Sequence, residues 1–320
     1  MQTTSFCSIT PAAPLIDPML PLNARLISKQ ELMPDHMLFR LRLDDPRGMG
    51  PDGSNHIPGQ FVMLSVIGVG EVPISICHAP NSDHLPLDQR ELHLTIRRVG
   101  RVTKALFELD PGDLIGLRGP YGRGFPLREL HEKPLVMMAG GLGMAPLRSL
   151  LQYAFQYRER FGAAVHLLYG ARNTRQLLYL DELRDIQQSE RLDVHLACDQ
   201  PIDSNHSLPD GLQILQGNLL DLLANLPLDH QQARFAVCGP PVMYGYVTSR
   251  LREMKVPPEH IFVSLERRME CAIGKCGHCA IGYRYTCTDG PVFSVWEARG
   301  LREAWQPPKG LEDPYLGGWR

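Results

Sequence analysis

Residues 134–151 read PLVMMAGGLGMAPLRSLL, and this segment indicates how the second half of the chain folds. Its first part, residues 134–139, is a short apolar run that is typical of a buried strand. A glycine-rich turn follows, and a helical pattern begins near Ala145 and continues to about Arg160. A strand, a glycine-rich turn and a helix in this order predict one unit of a parallel α/β sheet.

The same alternation continues downstream of this stretch. Further short apolar runs, each typical of a strand, lie at residues 164–171, 192–198, 234–240 and 260–266. Helices are predicted at residues 179–186 and, with a possible break at Gly217, at 214–226. We therefore expect an open parallel α/β sheet over this part of the chain.

Upstream of residue 134, the pattern changes to short strands separated by loops rich in Pro, Gly, Asn and Asp. The candidate strands lie at residues 38–43, 61–66, 72–77, 92–98 and 113–119. Several of them alternate apolar and polar residues, and their spacing predicts an antiparallel barrel or sandwich. The first twenty or so residues are Pro-rich and lack periodicity, which indicates an extended arm.

Four cysteines follow the last predicted strand, in the sequence CAIGKCGHCAIGYRYTC from Cys271 to Cys287. The spacing of Cys271, Cys276, Cys279 and Cys287 is C-x4-C-x2-C-x7-C, and its first part is the plant-type arrangement of [2Fe–2S] ligands. Zinc sites usually pair their ligands twice, and a dithiol redox site belongs in a thioredoxin-like βαβ unit. Both alternatives therefore fit the spacing less well than an iron–sulfur cluster.

The glycine-rich turn is a candidate pyrophosphate site. It opens a helix directly after a strand, where backbone N–H groups and the helix N-terminus attract phosphate. Gly143 is expected to allow close approach of the phosphate, and Pro146 suits the first helical turn. A CGPP sequence at residues 238–241 ends a later strand, so it falls on the same edge of the sheet. A plain strand–turn–helix junction with Cys238 as a core thiol is the alternative interpretation.

Two further motifs lie in the predicted barrel, at residues 72–75 (VPIS) and 100–103 (GRVT). The second precedes a short helical pattern, so its amides and Thr103 could hold another pyrophosphate. The alternatives are a strand hydroxyl with an internal partner and an ordinary helix N-cap, for which Ser and Thr are common.

Length and composition narrow the function classes. The chain has 320 residues, enough for two domains and a small appendage, and its net charge of −2 gives no electrostatic case for nucleic acid or acidic membranes. No apolar run is long enough to span a bilayer. The N-terminus lacks the features of a signal peptide, and half of the 8 cysteines lie in one motif, so we expect a reducing, cytoplasmic setting. Cys7, Cys77 and Cys198 are expected to be free thiols.

The order of barrel, GxGxxP turn, CGPP and C-terminal cysteines resembles the ferredoxin–NADP reductase superfamily. Longer strings such as EVPISI, AGGLGMAPLRSLL and ERRMECAIGKCGHCAIG are similar to one branch, the gamma (diaphorase) subunits of cytosolic [NiFe]-hydrogenases and sulfhydrogenases. The similarity covers about residues 20–300. The electron-transfer subunit of dihydroorotate dehydrogenase and the corresponding subunit of anaerobic sulfite reductase share the same plan and are the alternatives.

The resemblance implies a domain plan and a set of cofactor residues. The plan is an N-terminal arm (1–20), an FAD-binding barrel (21–130), an NAD(P)-binding α/β domain (131–262), a [2Fe–2S] module (263–298) and a C-terminal tail (299–320). The implied FAD residues are Pro73, Ile74, Ser75, Thr95, Ile96, Arg97, Gly100, Val102 and Thr103. The implied NAD(P) residues are Gly141, Gly143, Met144, Ala145 and Pro146, with Cys238 and Gly239 near the nicotinamide. The four C-terminal cysteines would bind the cluster.

Two positions refine what the resemblance implies. Val72 stands where the wider superfamily has an Arg that contacts the flavin phosphates, so Arg97, Arg98 and the helix N-terminus are expected to contribute more. Asp199 follows the third α/β strand, where NADP users carry a Ser-Arg pair; a carboxylate suits a ribose hydroxyl and favours NAD. Arg172 and Arg175 in YGARNTR could reach a 2′-phosphate, so NADP is the alternative.

The implied function is that of an electron-transfer flavoprotein subunit, which passes electrons between NAD(P)H, FAD and a [2Fe–2S] cluster. Hydride transfer needs no acid or base, so none of the 12 histidines is assigned a catalytic role. The three modules occupy nearly the whole chain and leave no domain for a terminal substrate. A hetero-oligomer with a hydrogenase or another redox subunit is therefore expected.

Overall fold

The computed structural model describes residues 17–45, 56–80, 90–162, 164–202, 208–301 and 303–305. Most of the expected N-terminal arm, most of the expected tail and Cys7 lie outside these ranges. Within them, no helix is both long enough and apolar enough to cross a membrane.

Six antiparallel strands form the first sheet. They are β1 (Leu22–Met33), β2 (His36–Leu43), β3 (Phe61–Val66), β4 (Gly70–Ser75), β5 (Glu91–Arg97) and β6 (Leu114–Tyr121). Their order is β4-β3-β6-β1-β2-β5, and an antiparallel bridge between Ile76 and Leu94 joins the chain just beyond β4 to the other edge strand. The sheet thus closes into the expected barrel, with helix α1 (Arg101–Glu108) between β5 and β6 in the chain.

In the first sheet, β1 is the strand that sequence patterns did not predict. Its sequence, LNARLISKQELM, buries only Ala24 and Leu26 and leaves the other positions half-buried or exposed. Because β1 pairs with β2 on one side and β6 on the other, backbone hydrogen bonds hold it where apolar periodicity is weak.

After the short helix α2 (Leu127–Leu130), a second sheet follows in the order β10-β9-β8-β7-β11-β12-β15. Its strands are β7 (Leu135–Gly140), β8 (Val165–Ala171), β9 (Asp193–Cys198), β10 (Ile214–Gln216), β11 (Arg234–Cys238), β12 (Ile261–Ser264) and β15 (Val292–Ser294). The first six strands are parallel, and β15 is antiparallel to β12. This confirms the expected open α/β sheet.

Helices cover both faces of this sheet. They are α3 (Met144–Gln156), α4 (Leu180–Gln188), α5 (Leu219–Ala224) and α6 (Pro241–Glu253). Alternate residues of β7 lie on opposite faces of the sheet. Leu135 and Met137 pack with α3 and α4, whereas Val136 and Met138 pack with α5 and α6. Because β7 is buried on both sides, its sequence is a continuous apolar run.

One predicted element is wrong. Residues 214–216 form the edge strand β10, although a helix was predicted from 214 to 226. The helix begins only at Leu219, because the Asn218 side chain accepts a hydrogen bond from the Leu220 amide at 2.8 Å and caps it there.

The C-terminal segment contacts both sheets. It contains the hairpin β13 (Ala280–Ile281) and β14 (Arg284–Tyr285), strand β15 and helix α7 (Val295–Ala298). Arg123, just after β6, donates hydrogen bonds to the Val292 carbonyl at 3.1 Å and to Glu297 at 2.8 Å. A Cβ atom at Gly122 would lie 2.6 Å from Pro291, so the two chain segments approach closely at this glycine.

Candidate functional site

The cysteine loop directs backbone N–H groups at its sulfur atoms. The amides of Lys275 and Cys276 each lie 3.3 Å from Cys271 Sγ, and the amide of Gly274 lies 3.2 Å from Cys287 Sγ. Hydrogen bonds of this kind stabilise negative charge on sulfur and help to set the reduction potential of iron–sulfur centres.

The backbone conformation of this loop explains its small residues. Gly274 and Gly277 have φ values of +74° and +82°, in the left-handed region that glycine tolerates. Ala272 also has a positive φ, of 62°. The chain therefore curls around the sulfur atoms, and the all-sulfur donor set fits a [2Fe–2S] cluster.

Three of the four cysteines are buried, namely Cys271, Cys279 and Cys287, whereas Cys276 is exposed. Cys276 also lies near Glu270 and His278, and these three exposed side chains could hold a metal ion on the surface. Such a site would use one of the four cysteines and leave the buried sulfurs unexplained, so the geometry favours the cluster over zinc.

Arg118 on β6 is buried, with 2% exposure, and it contacts the cysteine loop directly. Its guanidinium donates to the Cys271 carbonyl at 3.1 Å and to the Glu270 carbonyl at 3.3 Å. It also pairs with both carboxylate oxygens of Glu71 on β4, at 3.0 and 2.7 Å. One cation therefore joins the cysteine loop to the strand that carries residues 73–75. No sequence motif indicated this role.

One strand, β3, contacts both the cysteines and the strand that carries residues 73–75. Phe61 and Met63 of β3 pack against Cys279 and Cys287 on one face. In the β3–β4 pairing, Phe61 lies opposite Ser75 and Met63 lies opposite Pro73. Neighbouring strands are about 4.8 Å apart, so the motif and the cysteine loop are close neighbours.

Closure of the barrel brings the candidate FAD residues together. The Ile76–Leu94 bridge sets the carboxyl end of β4 beside β5, which carries Thr95, Ile96 and Arg97. Helix α1 lies near the start of β4, where a Cβ atom at Gly70 would be 3.5 Å from Val102. Strand β4 therefore has β5 beside its carboxyl end and α1 beside its start.

Several of these side chains already have partners within the protein. The N-cap residue of α1 is Gly100 and not Thr103. The Thr103 hydroxyl, at the third helical position, accepts hydrogen bonds from the amides of Gly100 at 2.9 Å and Val99 at 3.0 Å. The Thr95 hydroxyl hydrogen-bonds to Tyr179, and Ile96 is buried in the barrel core. Any contact that Ile96 makes with a cofactor must therefore use its backbone. The first turn of α1 likewise offers a cofactor its backbone amides.

The glycine-rich turn forms between β7 and α3 as expected. Gly141 has a φ of +52°, and no atom lies within 4 Å of a Cβ built there, so this turn faces open space. At Gly143 the structure shows a different neighbour from the expected phosphate. A Cβ atom there would lie 2.2 Å from the Cys238 carbonyl oxygen and 2.6 Å from the Gly239 nitrogen. Glycine is thus required at 143 by the CGPP backbone.

The CGPP segment and the glycine turn meet at the carboxyl edge of the sheet. Burial raises the pKa of the Cys238 thiol, and so does the nearby carboxyl of Glu266. The Tyr244 hydroxyl accepts a hydrogen bond from the Gly239 amide at 3.3 Å. Cys238 is therefore a neutral thiol held among polar groups, not an activated nucleophile.

Side chains of helix α3 hold the carboxyl edge of the second sheet against the barrel. Arg148, with 8% exposure, donates to the Cys77 carbonyl at 2.7 Å and pairs with Glu182 at 2.7 Å. Burial opposes its charge, but Glu182 raises the pKa of Arg148 above its ordinary value. Ser149 donates to the His78 carbonyl at 2.6 Å. The glycine turn is thereby held facing the barrel, and sequence reasoning missed both Arg148 and Glu182.

Three histidines, His56, His78 and His93, pack ring against ring at this junction. Burial lowers the pKa of His56 to about 4, and burial together with the positive charge of Arg148 lowers the pKa of His93 to about 4. The unfolded chain binds a proton at each of these histidines more tightly than the folded protein does. The contribution of the two neutral histidines to the free energy of unfolding is therefore fully present above pH 6.5 and is lost as the pH falls toward about 4.

Acidification from about pH 7 to about pH 5 is therefore expected to lower the stability of the protein, by about 2 kcal/mol for each of the two histidines. The Tm of wild type and of His93→Gln at the two pH values measures this. The variant lacks one of the titrating groups and should lose less. Equal losses in both proteins would contradict the role of His93.

Three family models match the chain, in the expected order. They are an oxidoreductase FAD-binding domain at residues 23–125, an oxidoreductase NAD-binding domain at 137–249 and the iron–sulfur cluster binding domain of dihydroorotate dehydrogenase B at 266–298.

Curated relatives match nearly the whole chain. The sulfhydrogenase 2 subunit gamma of Pyrococcus furiosus is 38% identical over 90% of this chain and 99% of its own length. A probable electron transfer subunit of dihydroorotate dehydrogenase B from Methanothermobacter thermautotrophicus is 36% identical, over 77% of this chain and 81% of its own. A solved NADH-dependent reduced ferredoxin–NADP oxidoreductase aligns with a TM-score of 0.66 at 22% identity, over 89% of this chain and 92% of that one. The last match shows the shared fold.

Proposed function

Because this chain belongs to the family of the sulfhydrogenase gamma subunits, within the ferredoxin–NADP reductase superfamily, we propose that it exchanges electrons with a [NiFe]-hydrogenase or sulfur reductase partner. The family establishes the coarser function: this is an NAD(P)H-dependent flavin and iron–sulfur oxidoreductase. The partner, the residues that bind each cofactor and the choice of nicotinamide are the proposed parts.

The observation that supports this function best is the contact of the cysteine loop with β3 and, through Arg118, with β4. It supports a short distance between the proposed cluster ligands and the proposed FAD residues Pro73, Ile74 and Ser75. Electron transfer between two bound cofactors requires them to be near each other and held rigidly. A buried arginine with an ion pair and a packed apolar contact favour both.

The chain's own residues position the cofactors, while FAD supplies hydride acceptance and one-electron release when bound. First-turn amides of α1 and the side of the barrel formed by Thr95, Ile96 and Arg97 are proposed to hold FAD. The Gly141–Gly143 turn and the amino end of α3 are proposed to hold the nicotinamide pyrophosphate. Cys238 and Gly239, at the same sheet edge, would lie near the nicotinamide ring.

NAD is the proposed nicotinamide. Asp199 is exposed after the end of β9, and its amide donates to the Ala171 carbonyl at 3.2 Å. The next residue, Gln200, lines a small pocket together with Asn173, Thr174, Arg175 and Pro201. A carboxylate at this place accepts hydrogen bonds from ribose hydroxyls and repels a 2′-phosphate. Desolvation raises the pKa of Asp199, and the positive charge of Arg172 opposes that shift.

Asp199→Asn is expected to reduce the preference for NADH over NADPH by roughly tenfold, since a charged hydrogen bond contributes about 1.5–3 kcal/mol. Rates of flavin reduction with the two nucleotides measure it. Asp181→Asn, at an exposed position of α4, is the control that should leave the preference unchanged. A wild-type preference for NADPH would contradict the proposal.

Anaerobic purification of the tagged chain from its native host tests the partner. Nickel that co-purifies with iron and flavin would support a [NiFe]-hydrogenase partner. Iron and flavin without nickel would overturn it and favour a dihydroorotate dehydrogenase or anaerobic sulfite reductase. The first of these is the second candidate function, because the iron–sulfur family model that matches the chain belongs to dihydroorotate dehydrogenase B.

A further inference from the structure

Two histidines and an aspartate converge on the second sheet, far along the strands from the glycine turn. His166 is the second residue of β8, Asp193 is the first residue of β9, and His195 follows two positions later. Parallel pairing sets His166 opposite Asp193, so all three side chains lie on the α5–α6 face of the sheet. The glycine turn follows the carboxyl end of β7, so the two places are at opposite ends of the sheet.

The distances between the ligand atoms of this trio are similar to those between neighbouring ligands of one metal ion. His166 Nδ1 lies 3.1 Å from Asp193 Oδ2 and 3.3 Å from His195 Nε2, and the three ligand atoms all lie within 4.8 Å of one another. Zinc binds imidazole nitrogen and carboxylate oxygen at about 2.0–2.1 Å, which sets neighbouring tetrahedral ligands about 3.3 Å apart.

His166 Nδ1 has two polar neighbours, the Asp193 carboxylate and His195 Nε2, and a single proton on this nitrogen can serve only one of them well. If His166 Nδ1 carries a proton, the carboxylate and the His195 nitrogen compete for it; if it does not, its lone pair faces the carboxylate. A divalent cation would bond all three lone pairs at once.

The surroundings fit a bound cation with one open position. His166 is buried at 6% exposure, whereas the Asp193 side chain is 57% exposed, so solvent reaches one side of the trio. Arg158 is a positive charge nearby, and its guanidinium is directed to the carbonyls of Arg191 at 2.7 Å and Gly162 at 2.9 Å.

We propose that His166, Asp193 and His195 form a binding site for a divalent transition metal of the zinc type, with water in the fourth position. The site is separate from the cysteine loop and independent of the electron-transfer proposal. Two imidazoles and a carboxylate are the donor set that suits Zn²⁺, and a metal there would tie β8 to β9.

Zinc titration of the cluster-loaded protein tests the proposal, by calorimetry and by X-ray absorption at the zinc edge. One Zn²⁺ per chain should bind with nitrogen and oxygen neighbours at about 2.0–2.1 Å and no sulfur at about 2.3 Å. Iron and sulfide contents should not change. His195→Ala and the more exposed Asp193→Asn should each weaken binding by more than about tenfold, because even outer partners of metal ligands contribute that much. His260→Ala, at a residue that directly precedes β12, should leave binding unchanged.

Three results would overturn the proposal: no stoichiometric binding, equal affinity in wild type and Asp193→Asn, or a sulfur neighbour to zinc. The last would place the ion at a cysteine and not at the two histidines and the aspartate. Asp193→Asn changes a largely exposed side chain, so its folding can be checked by Tm without metal.

Discussion

Replacement of Cys279 by serine is expected to abolish the iron–sulfur cluster while FAD remains bound. Cys279 is 2% exposed and its thiol lies 3.2 Å from Cys287 Sγ, so a hydroxyl there removes a soft ligand from the buried side of the loop. The proposed FAD residues lie on β4, β5 and α1, and none of these elements carries one of the four cysteines. Iron and sulfide per chain should fall by at least about tenfold, whereas FAD content and flavin reduction by NADH should persist.

Cys198→Ser is the matched control for this experiment. It makes the same chemical change at a buried thiol at the end of β9, outside the cysteine loop. Iron content should be unchanged in the control. Full iron content in Cys279→Ser would show that the four cysteines do not hold the cluster, and loss of FAD in that variant would show that the two cofactors do not bind independently.

Replacement of Arg118 by glutamine is expected to loosen the cysteine loop and to lower the reduction potential of the cluster. The change leaves Glu71 without its cation and deprives the Glu270 and Cys271 carbonyls of a donor. Unsatisfied buried acceptors cost about 1–3 kcal/mol. Loss of the positive charge disfavours the reduced cluster, which is the more negative form. The reduction potential should fall by roughly 60 mV if the interaction between Arg118 and the added electron is about 1.4 kcal/mol.

Arg118→Lys separates the two effects, because lysine keeps the charge but cannot form the paired hydrogen bonds. Potentiometric titration followed by electron paramagnetic resonance should give a near-wild-type potential for the lysine variant and a lower one for glutamine. Cluster loss on heating should be faster in both. An unchanged potential in Arg118→Gln would leave Arg118 a purely structural residue.

Sequence reasoning succeeded where a pattern was local. Strand β2 alternates between buried and less buried positions from Phe39 to Leu43, β7 is a continuous apolar run, and the cysteines have a distinctive spacing. All three features could be found from neighbouring residues. Gly143 was singled out for approach of a phosphate, whereas the need for glycine that the structure shows there comes from the backbone of Cys238, far along the chain.

The missed features depend on distant partners. Arg118 pairs with Glu71, which is 47 positions away, and Arg148 pairs with Glu182, which is 34 positions away. A lone arginine in a strand or helix is normally solvent-exposed, and only the fold shows that these two are buried. Likewise β10 and β15 are three-residue strands whose pairing partners, and not their own sequences, make them strands.

The most direct test of electron transfer within this chain is an anaerobic titration of the FAD- and cluster-loaded protein with NADH, followed by visible and electron paramagnetic resonance spectroscopy. We expect that the flavin is reduced and that the signal of a reduced [2Fe–2S] cluster appears, because the cysteine loop lies one strand away from the proposed FAD residues. Reduction of the flavin by NADH with a cluster that stays oxidised, although dithionite reduces it, would contradict transfer between the two cofactors.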